Sequence, residues 1–431
     1  MNAVKHIYQV YSQYYNVSTD SRSIEENSVF FALKGAHFDA NKFALEVAQK
    51  KDVVLVVVDD KNLPDHPKFV KVANVLETLQ QVANYHRSQM KAKIIAITGT
   101  NGKTTTKELI AAVLNKKFSI IKTQGNFNNH IGLPLTLLQI RPETEIAVVE
   151  MGANHKKEIE TLCQIAQPDM GLITNIGKAH LEGFGGFEGV IEAKKELYDY
   201  LLQNDKQVFV NSDNNLLMCL SDKMKRFTYG TNSTADVVGS VKDSNHYLSV
   251  KWNNFETEKI VQTHLIGAHN FENIMAAIAV GTYFEVDKMK IIEAIMHYVP
   301  TNNRSEIKET SDNKLIMEAY NANPTSMELT IRGFNEMKGT KKMVILGDMF
   351  ELGMYSENEH REIVKLVDSF HFEEIFLVGK NFSNVAKVKQ IKTFETTEAL
   401  CAFFGSNKPR GFSILIKGSR GMALEKLIPY L

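Results

Sequence analysis

Apolar residues along this 431-residue chain fall into short runs separated by helical patterns. Up to about residue 88, VFFALKG (29–35) and VVLVVV (53–58) read as strands. VLETLQQVANYHRSQM (75–90), with apolar positions at helical spacing, reads as the helix that closes this stretch. From 89 to 299 strands and helices alternate. KIIAIT (93–98) leads into a helix at 104–115, EIAVVE (145–150) into one at 155–166, and MGLITN (170–175), through a loop, into one at about 187–202. Apolar strands joined by helices predict a parallel sheet covered on both faces. Residues 226–265 alternate in short segments such as YLSVKW and predict an antiparallel insertion, after which helical patterns return at 270–297. VPTNNR (299–304) has the proline and asparagine content of a linker. Beyond it KLIMEAY and KMVILGD, each followed by a helix, then EIFLVG, and finally FSILIKGS with a helix, predict a smaller α/β unit. The expected fold class is α/β in three domains, at 1–88, 89–299 and 300–431.

Composition narrows the function. Lys plus Arg and Asp plus Glu both number 50, so the net charge is zero, which excludes the strongly basic balance of a protein whose whole surface grips nucleic acid but not a local basic site for a small anion. The longest aliphatic run, Val53 to Val58, is far short of the ~20 residues that cross a membrane. MNAVKHIYQVYSQYY at the start has no apolar core before a cleavage site, so no signal peptide is expected. Cys163, Cys219 and Cys401 are too far apart for a zinc or disulfide framework and suit a reducing, cytoplasmic compartment.

The sharpest motif is AITGTNGKTTT (96–106), placed between a strand and a helix as a phosphate loop requires. Gly99 and Gly102 let backbone N–H groups approach phosphate oxygens, Lys103 supplies charge, and the Thr104 hydroxyl can reach magnesium. The strict pattern wants glycine where Ile97 stands. Read blandly, the segment is a glycine turn before a threonine-capped helix. Two further strands end in reactive residues, one in Glu150 and one in TNIGKAHLEGFGG, which carries His180 and Glu182. Ligands of open α/β sheets bind beyond such strand ends, and a carboxylate there can share Mg²⁺ with Thr104. Lys194 and Lys195, in FEGVIEAKKELYDYL, read by pattern as a solvated helix face with neither singled out.

Taken together, GTNGKTTT, TQGNFNNHIGLPLTLL (123–138), EMGANHKKEI (150–159), TNIGKAHLEGFG (174–185), HNFENIMAA (269–277), AYNANPTSM (319–327), LGDMFELG (346–353) and KGSRGM (417–422) resemble the Mur ligase family. GNFNNHIGLP, YNANPTSM and LGDMFELG resemble in particular the branch that adds D-alanyl-D-alanine to a UDP-N-acetylmuramoyl tripeptide in peptidoglycan precursor synthesis. The resemblance implies a UDP-sugar domain, a central P-loop ATPase domain and a C-terminal Rossmann-like ligase domain. Ser21 and Arg22 of TDSR, with FALKGAHFDANKF, would take the uridine diphosphate, and Asn126 and Asn128 the muropeptide. ATP would lie on Gly99, Thr100, Asn101, Gly102, Lys103, Thr104 and Thr105, with Asn273 at the adenine and Arg304 reaching over from the linker. One magnesium would fall to Thr104 and Glu150. A second would fall to His180 and Lys194, the latter as a carbamate, whose oxygens Mg²⁺ prefers to an ammonium. Lys103, Lys194, His180 and Glu318 would be catalytic. Asn321, Asn323, Asp348, Lys417, Ser419 and Arg420 are acceptor-site candidates, with Glu351 in the same loop as Asp348. Asn303 stands where the family has glycine, and Glu318 where it has aspartate. The expected enzyme is a monomeric ATP- and Mg²⁺-dependent carbon–nitrogen ligase without a membrane span. The third residue of its tripeptide, meso-diaminopimelate or L-lysine, stays open. Competing readings are another amino-acid-adding ligase of the superfamily, or a P-loop protein that hydrolyses nucleotide as a regulator.

Overall fold

The computed structural model of the chain describes residues 2–245, 247–253, 259–300, 305–338 and 341–431. Its strands form three sheets. The first holds β1 (Val17–Ser18), β2 (Ser28–Phe31), β3 (Val53–Val58) and β4 (Phe69–Lys71), side by side in chain order and all parallel. VVLVVV is almost wholly buried, as a strand covered on both faces must be. The N-terminal segment, unassigned by pattern, is a helix over Asn2–Tyr14. Its Tyr11 hydroxyl donates to the Leu138 carbonyl of the next unit. Its Tyr8, Tyr11 and Tyr15 surround the buried His86 of the helix Val75–Gln89.

The second sheet is built on β5 (Lys93–Thr98), β6 (Ile120–Lys122), β7 (Ile146–Glu150), β8 (Met170–Ile173), β9 (Gln207–Asn211), β10 (Lys225–Gly230), β11 (Val237–Asp243), β12 (Ser249–Trp252) and β13 (Lys259–Gln262). The spatial order is β13-β12-β11-β10-β9-β8-β5-β7-β6. The expected antiparallel insertion is only half right. β10 pairs parallel to β9, and β11 parallel to β10, so both extend the main sheet; only β11-β12-β13 are antiparallel. Alternation marks a half-buried strand but carries no direction, which explains the error. β5 lies between β7 and β8, with the chain leaving to either side. That reversal opens a crevice at its carboxyl end.

The third sheet comprises β14 (Glu306–Glu309), β15 (Lys314–Glu318), β16 (Lys341–Gly347), β17 (Glu374–Val378), β18 (Ile391–Phe394) and β19 (Phe412–Lys417), ordered β14-β15-β19-β16-β17-β18. All pairs but β14·β15 are parallel. The helix expected after FSILIKGS is absent. Two 3₁₀ turns, Arg420–Met422 and Leu424–Tyr430, take its place, divided by Ala423 in a left-handed conformation (φ 50°) and carrying Pro429. Either feature interrupts α-helical hydrogen bonding.

Candidate active site

A cavity of about 880 Å³ opens at the carboxyl end of β5 and is walled on its far side by the third sheet. Loop 99–102 passes from β5 into the helix Lys103–Leu114 with Gly99 (φ 142°) and Gly102 (φ 79°) in conformations that favour glycine. Space also demands them. A Cβ on Gly99 would stand 2.0 Å from Thr174 Oγ1, and one on Gly102 2.5 Å from Asn273 Oδ1. Lys103 Nζ turns back onto the loop, donating to the carbonyls of Gly99 (2.8 Å) and Thr100 (3.0 Å). Those are contacts a phosphate oxygen can replace.

Glu150, at the end of β7, is 2% exposed. One of its oxygens accepts from Thr104 Oγ1 (2.9 Å) and the other from Asn128 Nδ2 (2.8 Å), while its backbone N–H donates to Thr123 Oγ1. Glu150 is therefore a buried, fully partnered carboxylate and not a solvated strand end. Thr104 and Glu150 present adjacent hydroxyl and carboxylate oxygens to the cavity, a donor set that suits Mg²⁺. Among the described residues no group of three His, Cys, Asp or Glu gathers as a cage, so this pair could hold a cation only together with oxygens of a bound ligand or water. His180 also lines the cavity; its Nδ1 lies 2.5 Å from Glu351 Oε2, which leaves Nε2 as the ring nitrogen that could hold a cation. Both residues sit on left-handed backbone, at φ 50° and 61°. The histidine holds the Glu351 carboxyl below its ordinary value.

Lys194 is not on a solvated face. It is 2% exposed, over the Phe184 ring (5.4 Å). Burial first, then the charge of Lys103, push its pKa down to about 7. Lys195, one position on, is half-exposed and pairs with Asp199. Asn126, Asn128 and Asn273 all line the cavity. Asn273 accepts from Thr106 Oγ1 and donates to Asn270. From the third sheet come Glu318, Asn321, Asn323 and Lys417. Glu318 Oε1 accepts from Ser305 Oγ (2.7 Å), with Lys417 Nζ 4.0 Å from its other oxygen.

Other candidates, like the buried Lys194, are not among the residues that line the cavity. Asp348 is buried outside the cavity, its carboxylate accepting from the backbone N–H groups of Asn381 and Phe382. Ser419 Oγ accepts from Phe350 N–H and is likewise structural. Arg420 is exposed over the Tyr320 ring. Ser21 and Arg22 lie in the loop after β1, away from the cavity, with Arg22 paired to Asp20 at 2.7 Å. Arg304 and Asn303 fall outside the described residues.

One residue that sequence reasoning passed over belongs here. Lys107 is fully buried on the phosphate-loop helix, donating to the Thr123 carbonyl (2.7 Å), 3.2 Å from Glu108 and 3.7 Å from Glu150. Its spacing, three after Thr104 and four after Lys103, put it on their face of the helix and was the available signal.

Residues 97–281 match the Mur ligase middle domain, and residues 303–420 the "Mur ligase, glutamate ligase domain". The chain is similar to the UDP-N-acetylmuramoyl-tripeptide–D-alanyl-D-alanine ligase of Bacillus subtilis, 37% identical over 430 residues, covering 96% of this chain and 92% of that protein. The Escherichia coli enzyme of the same name is 31% identical over 423 residues, covering 96% and 92%. Among solved structures, MurF from Acinetobacter baumannii superposes with a TM-score of 0.88 at 29% identity, covering 99% of this chain and 97% of that one. MurF from Thermotoga maritima in complex with ADP gives 0.84 at 25%, covering 96% of each chain.

Proposed function

The chain belongs to the Mur ligase family, and from that premise we propose that it uses ATP to join D-alanyl-D-alanine to the terminal carboxylate of a UDP-N-acetylmuramoyl tripeptide. The observation that carries this reading is one cavity in which the phosphate loop and the Thr104–Glu150 pair face Glu318, Asn321 and Lys417. ATP activation and amine attack then share one space. The three sheets serve as domains with boundaries near 88–92 and 299–304. The first takes the uridine diphosphate through Ser21 and Arg22.

Amide formation from a carboxylate is uphill in water. The tripeptide carboxylate oxygen therefore attacks the γ-phosphorus of ATP, ADP leaves, and an acyl phosphate forms. The dipeptide amine attacks its carbonyl carbon, and the tetrahedral species collapses with loss of inorganic phosphate. Lys103 moves from the Gly99 and Thr100 carbonyls onto the transferring phosphoryl group. Asn126 and Asn128 hold the muropeptide beside it. Lys417 suits the dipeptide carboxylate, and Glu318 takes the proton of the attacking amine. Magnesium, when held by Thr104 and Glu150 and by His180 with carbamylated Lys194, supplies charge neutralisation on the phosphates. A lysine at a pKa near 7 offers the neutral amine that carbamylation needs. Packing of the third domain over the cavity excludes water that would hydrolyse the acyl phosphate.

We place the enzyme in the cytoplasm as a monomer. Among the described residues no helix is long and apolar enough to cross a membrane. An ADP-release assay with UDP-muramoyl tripeptide, with and without D-alanyl-D-alanine, tests the function. Release that needs both substrates supports it; release indifferent to both favours the nucleotide-hydrolysing alternative.

A further inference from the structure

The phosphate loop is held from two directions. Its main chain at Asn101 belongs to the central domain, the N–H donating to Asn175 Oδ1 (3.0 Å) and the carbonyl accepting from Thr174 Oγ1 (2.6 Å). Its side chain is committed to the third domain. Asn323 Nδ2 donates to Asn101 Oδ1 at 2.8 Å, and Asn101 Nδ2 points back to Asn323 Oδ1 at 3.4 Å. Asn323 is itself fixed. It caps the helix Pro324–Glu336, its Oδ1 accepting from Ser326 N–H while Ser326 Oγ accepts from Asn323 N–H. A rigid helix end is thus bonded to the side chain that stands between the two loop glycines. Flanking contacts set the same register. Lys178 N–H donates to Thr325 Oγ1 (2.9 Å), and Gly177 packs so closely that a Cβ there would stand 2.7 Å from that oxygen.

We propose that Asn323 is a positioning residue for the ligation: through Asn101 it registers the acceptor side of the cavity against the phosphate loop. Glu318 and Asn321 precede Asn323 on the same strand-to-helix connection, so a clasp at Asn323 sets their distance from Lys103. The amine must meet an acyl phosphate formed at the loop, and errors of ~1 Å in such placement cost orders of magnitude in rate. This role differs from contact with the dipeptide and rests on the ligase reading above.

The test is a double-mutant cycle in the full-length enzyme, with ADP affinity by calorimetry and thermal midpoint alongside. Asn323→Ser keeps a side chain favoured at helix N-caps but is too short to reach Asn101. It should lower kcat about 10-fold, the scale of one or two net hydrogen bonds, and leave ADP affinity and the midpoint unchanged. Asn101→Ser should cost a similar factor, and the double variant no more than either single one. Asn323→Asp, which can still accept from a rotated Asn101 amide, should restore most of the rate, but not in the Asn101→Ser background. Multiplied losses in the double variant, or a fall in midpoint that tracks the fall in kcat, overturn the proposal. A wild-type enzyme that ligates nothing in the same assay would instead refute the ligase reading.

Discussion

Replacing Lys107 by Met removes a fully buried cation at nearly constant volume. The ammonium lies 3.7 Å from Glu150, a carboxylate whose side chain is 3% exposed and whose other named partners, Thr104 and Asn128, are neutral donors. Glu108, the second carboxylate beside it, also pairs with Lys122 and is a quarter exposed, so it loses little. Leaving one buried charge uncompensated costs about 3–5 kcal/mol. At ~2–4 °C per kcal/mol for a domain of this size, the thermal midpoint of the central domain should fall by roughly 6–20 °C. Adding Glu150→Gln to Lys107→Met removes both charges and should recover at least half of the loss, because the pair and not the packing is at stake. Calorimetry or urea titration of the metal-free enzyme reads this. A Lys107→Met penalty below about 1 kcal/mol would refute the reasoning, as would a double variant as unstable as the sum of its parts.

Three other outcomes are expected. Burial pushes the His86 pKa down to about 4 from 6.5. The unfolded chain therefore takes a proton that the folded one refuses, and this contribution is complete above pH 6.5 and is lost as pH falls toward 4. Between pH 7 and 5 the wild type should lose about 2 kcal/mol more than His86→Gln in urea unfolding; parallel pH profiles would rule this out. Lys194→Ala should be nearly inactive while still binding ATP, with formate or acetate partly restoring turnover, whereas Lys195→Ala should be tolerated; an active Lys194→Ala enzyme ends the carbamate assignment. Arg22→Ala should raise the KM for the muropeptide and leave that for ATP nearly unchanged, and equal losses for both would mean that Arg22 acts through folding.

Strand ends were the legible part of the site. A phosphate loop is written in the backbone freedom of Gly99 and Gly102 and in a lysine that must follow, so local sequence defines it. Glu150 and His180 could be placed with it because strands of one parallel sheet deliver their carboxyl ends to one edge. What pattern missed depends on tertiary neighbours. Lys194 looks like any charged helix residue until Phe184 and the packed helix remove its water. Asp348 stands in a motif that resembles a site, yet its carboxylate is used up by Asn381 and Phe382, in a niche left open by Gly379, where a Cβ would come 2.1 Å from Asp348 Cγ. The terminal helix failed because Ala423 shows no sign in sequence of its left-handed backbone. The Asn101–Asn323 pair joins positions 222 residues apart, beyond the reach of any local pattern.

The acyl phosphate is the central claim, and oxygen tracing tests it most directly. UDP-muramoyl tripeptide labelled with ¹⁸O in its terminal carboxylate is incubated with ATP, Mg²⁺, D-alanyl-D-alanine and the enzyme, and the released phosphate is analysed by mass spectrometry. The account predicts that each amide bond formed transfers one carboxylate oxygen to inorganic phosphate. Amide formation with unlabelled phosphate would contradict it.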